Sequence, residues 1–264
     1  MGEPTGNSTR YVVGTSGYSF ADWVGGFYPS GTRQKDMFAR YTEHFESVEL
    51  NFTFYNLTSG PTLQKLAAAG PEGFSFWVKA HQELTHKGNL AAADEFKENL
   101  QPMQVSGKLA GVLLQFPQSF RRTDGGRKYL SEVLTALSGP PLAVEFRHRS
   151  WDHPSVLAGL KERNVAVVIP DVPALEDLYR PAPAATTSVA YFRLHSRSAE
   201  GWYGGMAARY DYSYSDEELQ SLLKQWSRLE GQVQRAYAFF NNCHHAQAAR
   251  NAEALRRILG QIPG

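Results

Sequence analysis

The feature that most constrains this chain is an alternation that never breaks. Short apolar runs with a period of two are each followed by a stretch with helical spacing, eight times over. The strand-like runs lie at residues 11–14, 47–52, 74–79, 111–116, from 142, 165–169, 189–194 and 236–240. Between and after them, helices are predicted at residues 32–45, 62–69, 92–105, up to 137, 154–163, 215–229 and 246–259, with a short turn at 174–179. A strict β–α alternation builds a parallel sheet covered by helices. Eight such units in about 250 residues match the size of a TIM-like (β/α)8 barrel. An open doubly wound sheet is the competitor, but it would have fewer strands and usually a glycine-rich phosphate fingerprint after the first. Neither GxGxxG nor GxxxxGK[ST] occurs in the 264 residues. The expected organisation is a polar, disordered leader at residues 1–10 and one barrel domain at 11–264.

Composition removes several function classes. Hydrophobic residues at 42% and charged residues at 20% describe an ordinary globular chain. A net charge of +1 gives no overall field to recruit nucleic acid or an anionic membrane. The single cysteine, Cys243, precludes an internal disulfide framework and fits a reducing compartment. No apolar run approaches the roughly 20 residues of a membrane span, and the leader has no apolar signal region. The expected location is cytoplasmic.

Where the strands end, their character changes. In Leu142-Ala143-Val144-Glu145-Phe146-Arg147 the strand pattern continues while the residues turn ionic, so Ala143, Glu145 and Arg147 share a face. The other strand ends supply Ser16, Glu49 and Asn51, Lys79, Gln115, Asp171, Arg193 with His195, and Asn241 with Asn242. A barrel gathers all these ends on one rim, where active sites of the fold sit. A purely structural account would scatter polar residues over both rims. Glu49, Glu145 and Asp171 are candidate acids or bases, because close carboxylates push their pKa values apart. His195 is the expected proton shuttle. Lys79, Arg147 and Arg193 either neutralise the acids or receive an anionic group, which guanidinium forks suit. Lys79 on an apolar strand also permits imine chemistry.

Two loops and a metal question remain. The loop after the seventh strand places Tyr203 and Gly205 where this fold often holds phosphate, or else forms an aromatic lid. The loop after the fourth strand carries Arg121, Arg122, Arg127 and Lys128, which offers nucleic acid a few non-specific phosphate contacts. Glu49, Glu145, Asp171 and His195 have the chemistry to hold a divalent cation, but no metal site is favoured and no cofactor is specified. His81 and His86 do not form HExxH. Adjacent residues such as Cys243-His244-His245 point in different directions.

Taken in order, Gly14-Thr15-Ser16-Gly17-Tyr18, Val48-Glu49-Leu50-Asn51 with Thr53-Phe54-Tyr55, Val78-Lys79-Ala80, Thr85-His86, Leu114-Gln115-Phe116-Pro117, Val144-Glu145-Phe146-Arg147-His148 with Ser150-Trp151, Arg193-Leu194-His195 and Phe240-Asn241-Asn242 resemble the YecE-like family, domain of unknown function 72. The resemblance spans residues 11–259. It implies a TIM-like barrel with its site at these motifs, adds Tyr55 and His86 to the substrate-binding candidates, and names no reaction. Likeness of such barrels to endonuclease-IV-like and xylose-isomerase-like enzymes raises a nuclease reading, yet the dense His, Asp and Glu set of a three-zinc nuclease is missing here. Cys243 stands where the family pattern leads one to expect an acidic residue.

The expectation is therefore an enzyme acting on a small phosphate- or carboxylate-bearing substrate. Glu49, Lys79, Glu145, Asp171 and His195 would be catalytic, and the remaining rim residues would bind. The alternatives are a nucleic-acid-binding or nuclease-like protein using the basic and aromatic loops, and a binding protein without turnover. Oligomeric state is not legible.

Overall fold

A computed structural model describes residues 9–263. Its strands are β1 (Arg10–Thr15), β2 (Ser47–Leu50), β3 (Ser75–Lys79), β4 (Leu109–Gln115), β5 (Leu142–Glu145), β6 (Val165–Asp171), β7 (Val189–Leu194) and β8 (Arg235–Phe240). All pair in parallel, in the order β1-β8-β7-β6-β5-β4-β3-β2. The expected TIM-like barrel is what forms. Arg10 opens β1 and does not belong to a leader, whose first eight residues lie outside the described part.

The circle closes at β1 and β2 by a device other than a full ladder. One parallel bridge, Ser16 to Glu49, joins them at the top. Below it, the buried Tyr41 hydroxyl accepts from the Thr15 N–H at 3.0 Å and donates to the Ser47 carbonyl at 2.9 Å. Gly14 lets the two backbones approach, since a Cβ there would sit 2.3 Å from the Ser47 oxygen.

Strand alternation sorts the core into two regions. Outward residues such as Val48, Val78, Leu114, Val144, Val167 and Phe192 pack under the helices. Inward residues Val12, Trp77, Leu113, Ala143, Ala166, Val168, Tyr191, Tyr237 and Phe239 fill the barrel. Trp77 crosses the interior and meets Tyr191 edge to face at 4.5 Å. Gly111 makes room for its ring, because a Cβ there would lie 2.5 Å from the indole. Below the strand C-terminal rim the barrel interior is thus filled largely by aromatic rings. Among the described residues no helix is long and apolar enough to cross a membrane.

Several elements differ from the sequence reading. The first helix is shorter than residues 32–45: a 3-10 turn at Gln34–Asp36 runs into Met37–Thr42. The second strand stops at Leu50, and Phe52–Tyr55 forms a helical turn. The loop after β7 contains helices Ala199–Tyr203 and Met206–Tyr210. The Ser215 capping box with Glu218 forms as expected, with both reciprocal bonds present.

Candidate active site at the barrel mouth

Directly above the aromatic plug lies a closed ionic layer. Arg193 on β7 is 1% exposed and holds two carboxylates that are wholly buried. Its Nε and Nη2 donate to Glu49 Oε2 and Oε1 at 2.8 and 2.7 Å, and its Nη1 donates to Glu145 Oε2. Tyr191 adds a hydroxyl donated to Glu49 Oε2 at 2.7 Å. Buried charges persist only when paired and hydrogen-bonded, and here the fork geometry of arginine satisfies both acids. Burial opposes ionisation of Glu145, but Arg147, Arg193 and His195 outweigh it and hold the carboxyl well below its usual range. Burial would lower the Arg193 pKa, yet Glu145 and Glu49 raise it.

A second tier rests on that layer. Arg147 Nε forms an ion pair with Glu145 Oε1 at 2.8 Å, and its side chain remains 11% exposed. His195 Nε2 lies 3.0 Å from the same oxygen, while Asn241 Nδ2 lies 2.9 Å from Nδ1. A proton on Nε2 satisfies both contacts, with the amide donating to Nδ1. Arg147 Nη2 is 3.2 Å from His195 Nε2. Burial first, then Arg147, push the His195 pKa down to about 3. The imidazole is therefore neutral and inaccessible across the physiological range. It is held between Glu145 and Asn241 with no exposed ring nitrogen, an environment unlike that of the solvent-facing proton shuttle the sequence suggests.

Lys79, at the end of β3, differs from every other charged group of the mouth. Among the described residues its ammonium has no carboxylate within salt-bridge distance and no hydrogen-bond partner; its Nζ sits 4.1 Å from the centroid of the Phe54 ring. The side chain is half-buried. Burial, followed by the charge of Arg193, lowers its pKa from 10.5 to about 7, although Glu49 and Glu145 pull the other way. His86 lies edge-on to Phe54 at 4.7 Å; although the residue is exposed as a whole, partial desolvation of its ring, then the charges of Lys79 and Arg147, lower its pKa to about 4.

Around these cations are polar atoms without partners. Ser16 Oγ and Asn51 Oδ1 are buried and make no hydrogen bond among the described residues. Both belong to the seam where β1 meets β2. Gln115 donates to the Phe116 carbonyl at 2.7 Å. Trp202, from the helix Ala199–Tyr203, covers the mouth from above. The Arg147 guanidinium is 5.5 Å and that of Arg209 4.8 Å from its ring. Tyr55 and Tyr203 are exposed, and Gly205 takes a φ of +93° where the chain turns between two short helices.

Asp171 does not join the group. Counting alternately along β6, Ala166 and Val168 face inward, so Asp171 falls on the outer face with Val167 and Ile169. There it accepts from Arg197 at 2.9 and 3.1 Å and from the Tyr214 hydroxyl at 2.8 Å, and Arg197 reaches on to Glu218 at 3.3 Å. The Asn242 amide nitrogen donates to the Tyr212 carbonyl and to Asn251, while its Oδ1 is buried without a partner among the described residues. The four residues considered for a cation do not fit one either. Arg193 occupies the space between Glu49 and Glu145, and no three His, Cys, Asp or Glu side chains converge as ligands among the described residues. Cys243 approaches the Ser16 carbonyl at 3.4 Å, and burial raises its pKa, leaving an inert thiol.

Comparison with known proteins agrees with the motifs that line this mouth. The family model described as "Protein of unknown function DUF72" matches residues 12–263. The chain belongs to the DUF72 family. It is 30% identical over 267 residues to the UPF0759 protein YunF of Bacillus subtilis (strain 168), covering 94% of each chain. Among solved structures, a DUF72 family protein from Thermotoga maritima MSB8 superposes with a TM-score of 0.88 at 34% identity, over 95% of this chain and 99% of that one. One from Enterococcus faecalis V583 gives 0.84 at 25% identity over 95% of each. These DUF72 relatives share the barrel along nearly its full length.

The sequence did not single out Trp202, Phe54, Arg209 or Tyr191 for this site. Tyr191 was readable from β7, since it shares the inward face with Arg193 and His195. Trp202 and Arg209 come from the long seventh loop, whose path over the mouth depends on tertiary contacts.

Proposed function

We propose that the barrel mouth binds a small anionic substrate, and that the protein is an enzyme acting on it by acid/base chemistry. The observation that carries this reading is a charge count. Glu49 and Glu145 are matched by Arg193 and Arg147, which leaves the Lys79 amine as a surplus cation without a counter-ion among the described residues. A phosphate or carboxylate held by the exposed edge of Arg147 would balance that charge without binding the Lys79 amine itself, with Ser16 and Asn51 available for further polar groups of the ligand. Glu49, Glu145, Arg193 and His195 serve as positioning residues, because their hydrogen-bonding capacity is committed to one another. Proton transfer falls to Lys79, whose pKa near 7 suits a base at neutral pH.

The basic loop has less to offer a polyanion. Arg127 pairs with Asp124, Lys128 lies 3.8 Å from Glu132, and Arg122 donates to Ser155. Arg122, Arg127 and Ser155 border an external cleft of about 180 Å³, away from the mouth. Nucleic-acid contact through this loop would be weak and salt-sensitive.

The test is a thermal-shift titration of wild type and Arg147→Met with phosphate, sulfate and small carboxylates. Wild type should be stabilised by at least one of these anions and the variant much less. No stabilisation by any anion, or an equal shift in both proteins, would overturn the reading.

A further inference from the structure

We infer that Lys79 is a nucleophile that forms an imine with an aldehyde or ketone bearing a carboxylate or phosphate group. This deepens the anion-site reading and rests on it for the class of substrate. An amine attacks a carbonyl only when its lone pair is free, and a lysine engaged with a carboxylate has none to offer. Among the nine lysines of the chain, Lys87, Lys97 and Lys128 lie beside acids, and Lys108 is bound to the carbonyls of Ala67 and Gly70. Lys35, Lys65, Lys161 and Lys224 are exposed on the outside. Lys79 alone combines partial burial, the lack of a partner among the described residues, and a position in a mouth. Neighbouring guanidiniums disfavour its protonated form without donating to or accepting from it.

The geometry also separates the two tasks the reaction needs. Arg147 presents a fixed, partly exposed cation for the anionic end of the substrate, buttressed by Glu145. Lys79 stands on a different strand against the Phe54 face, where an apolar wall shields the reacting carbon. In the step itself, the Nζ lone pair attacks the carbonyl carbon and the C=O π pair moves to oxygen. A proton passes from nitrogen to that oxygen, giving a carbinolamine. One further proton from solvent allows the C–O bond to break, water leaves, and the nitrogen lone pair closes the C=N bond. Amine, carbonyl and one proton thus become a protonated imine and water, with no change of oxidation state. The iminium keeps the positive charge that the ammonium carried, so the balance with Glu49 and Glu145 is preserved.

The experiment incubates the full chain near pH 7 with pyruvate in one arm, dihydroxyacetone phosphate in a second and uncharged dihydroxyacetone in a third, each with sodium cyanoborohydride. Intact mass and peptide mapping then locate the reduced adduct. At pH 7 about half of Lys79 is the free amine, against less than one part in a thousand for an exposed lysine, which sets the expected contrast. One charged compound should label Lys79 at least about ten-fold faster than any other lysine, and Lys79→Met should lack the adduct. Arg147→Met should slow labelling by the charged compound by a larger factor than labelling by the uncharged one, because it removes the anion's partner as well as a charge that disfavours the Lys79 ammonium. Labelling spread evenly over surface lysines overturns the inference. If anions stabilise the protein but neither charged compound labels Lys79, the imine is refuted and the anion site stands. If the uncharged compound labels Lys79 as fast as the charged ones, the proposed substrate class is refuted.

Discussion

Arg193→Met would remove the guanidinium that ties together Glu49 and Glu145. Methionine matches the stem of the arginine and fits the aromatic surroundings, so the lost interaction dominates over a lost volume. Three hydrogen bonds disappear and two fully buried carboxylates lose a counter-ion. Breaking a buried pair by removing one partner costs about 3–5 kcal/mol. Glu145 retains Arg147 and His195, and Glu49 retains Tyr191, so the middle of that range, ~4 kcal/mol, applies. For a domain of this size each kcal/mol corresponds to roughly 2–4 °C in Tm, which predicts a fall of about 10 °C. Arg193→Lys should recover less than half of it, because one ammonium cannot fork to two acids. Adding Glu49→Gln to Arg193→Met should restore part of the loss, since the stranded charge is then gone. Scanning calorimetry of the three variants reads all of this. A fall below about 3 °C for Arg193→Met would refute a structural ionic layer. Of the two roles the sequence leaves open for Arg193, neutralising the acids or receiving an anion, the same geometry favours the first.

Lys79→Met should be more stable than wild type at pH 6 and equal to it near pH 10.5. The unfolded chain takes up this proton below about 10.5 and the folded one only below about 7, so wild-type stability falls across that window and the penalty is complete below it. The drop amounts to at most about 5 kcal/mol at 1.36 kcal/mol per unit, and solvent at the half-buried amine reduces the expected gain to about 2 kcal/mol; a Tm difference that does not change with pH contradicts it. His195 is neutral in the fold down to about pH 3 and titrates near 6.5 when unfolded, so its contribution is full above 6.5 and is lost as pH falls toward 3. A His195→Gln variant should show a shallower acid limb in a Tm–pH curve, and an unchanged slope would argue against a neutral buried imidazole. Tyr41→Phe leaves the Thr15 N–H and the Ser47 carbonyl unpaired at the barrel seam, for a loss of about 2 kcal/mol in chemical denaturation; a loss under about 0.5 kcal/mol would mean the seam closes without that hydroxyl.

The barrel was legible because each strand carries its own period-two signal and ends in polar residues on one face. Glu145 with Arg147, and Arg193 with His195, could be placed on a common rim from alternation alone. Asp171 shows how one residue of parity changes the meaning of a strand end: counted from Val165, it belongs to the outer face, where Arg197 and Tyr214 hold it. Phe54 was hidden for another reason. Phe52-Thr53-Phe54-Tyr55 has the aromatic and β-branched content of a strand, but the Thr53 hydroxyl contacts the carbonyls of Leu50 and Lys79 at 3.0 and 2.7 Å within a helical turn. That turn swings Phe54 against the Lys79 amine. The partnering of Arg193 and the lack of a partner for Lys79 among the described residues depend on side-chain reach across the barrel, which no local pattern encodes.

The most direct test of the account is the titration of the Lys79 amine itself. Protein labelled with carbon-13 at the lysine ε position, with Lys79→Met to assign the resonance, reports each midpoint by NMR. The account predicts a Lys79 midpoint near 7 in the free protein, raised when a bound phosphate or carboxylate supplies the counter-ion. A midpoint near 10.5, unmoved by any anion, would show an ordinary solvated lysine and contradict the central claim.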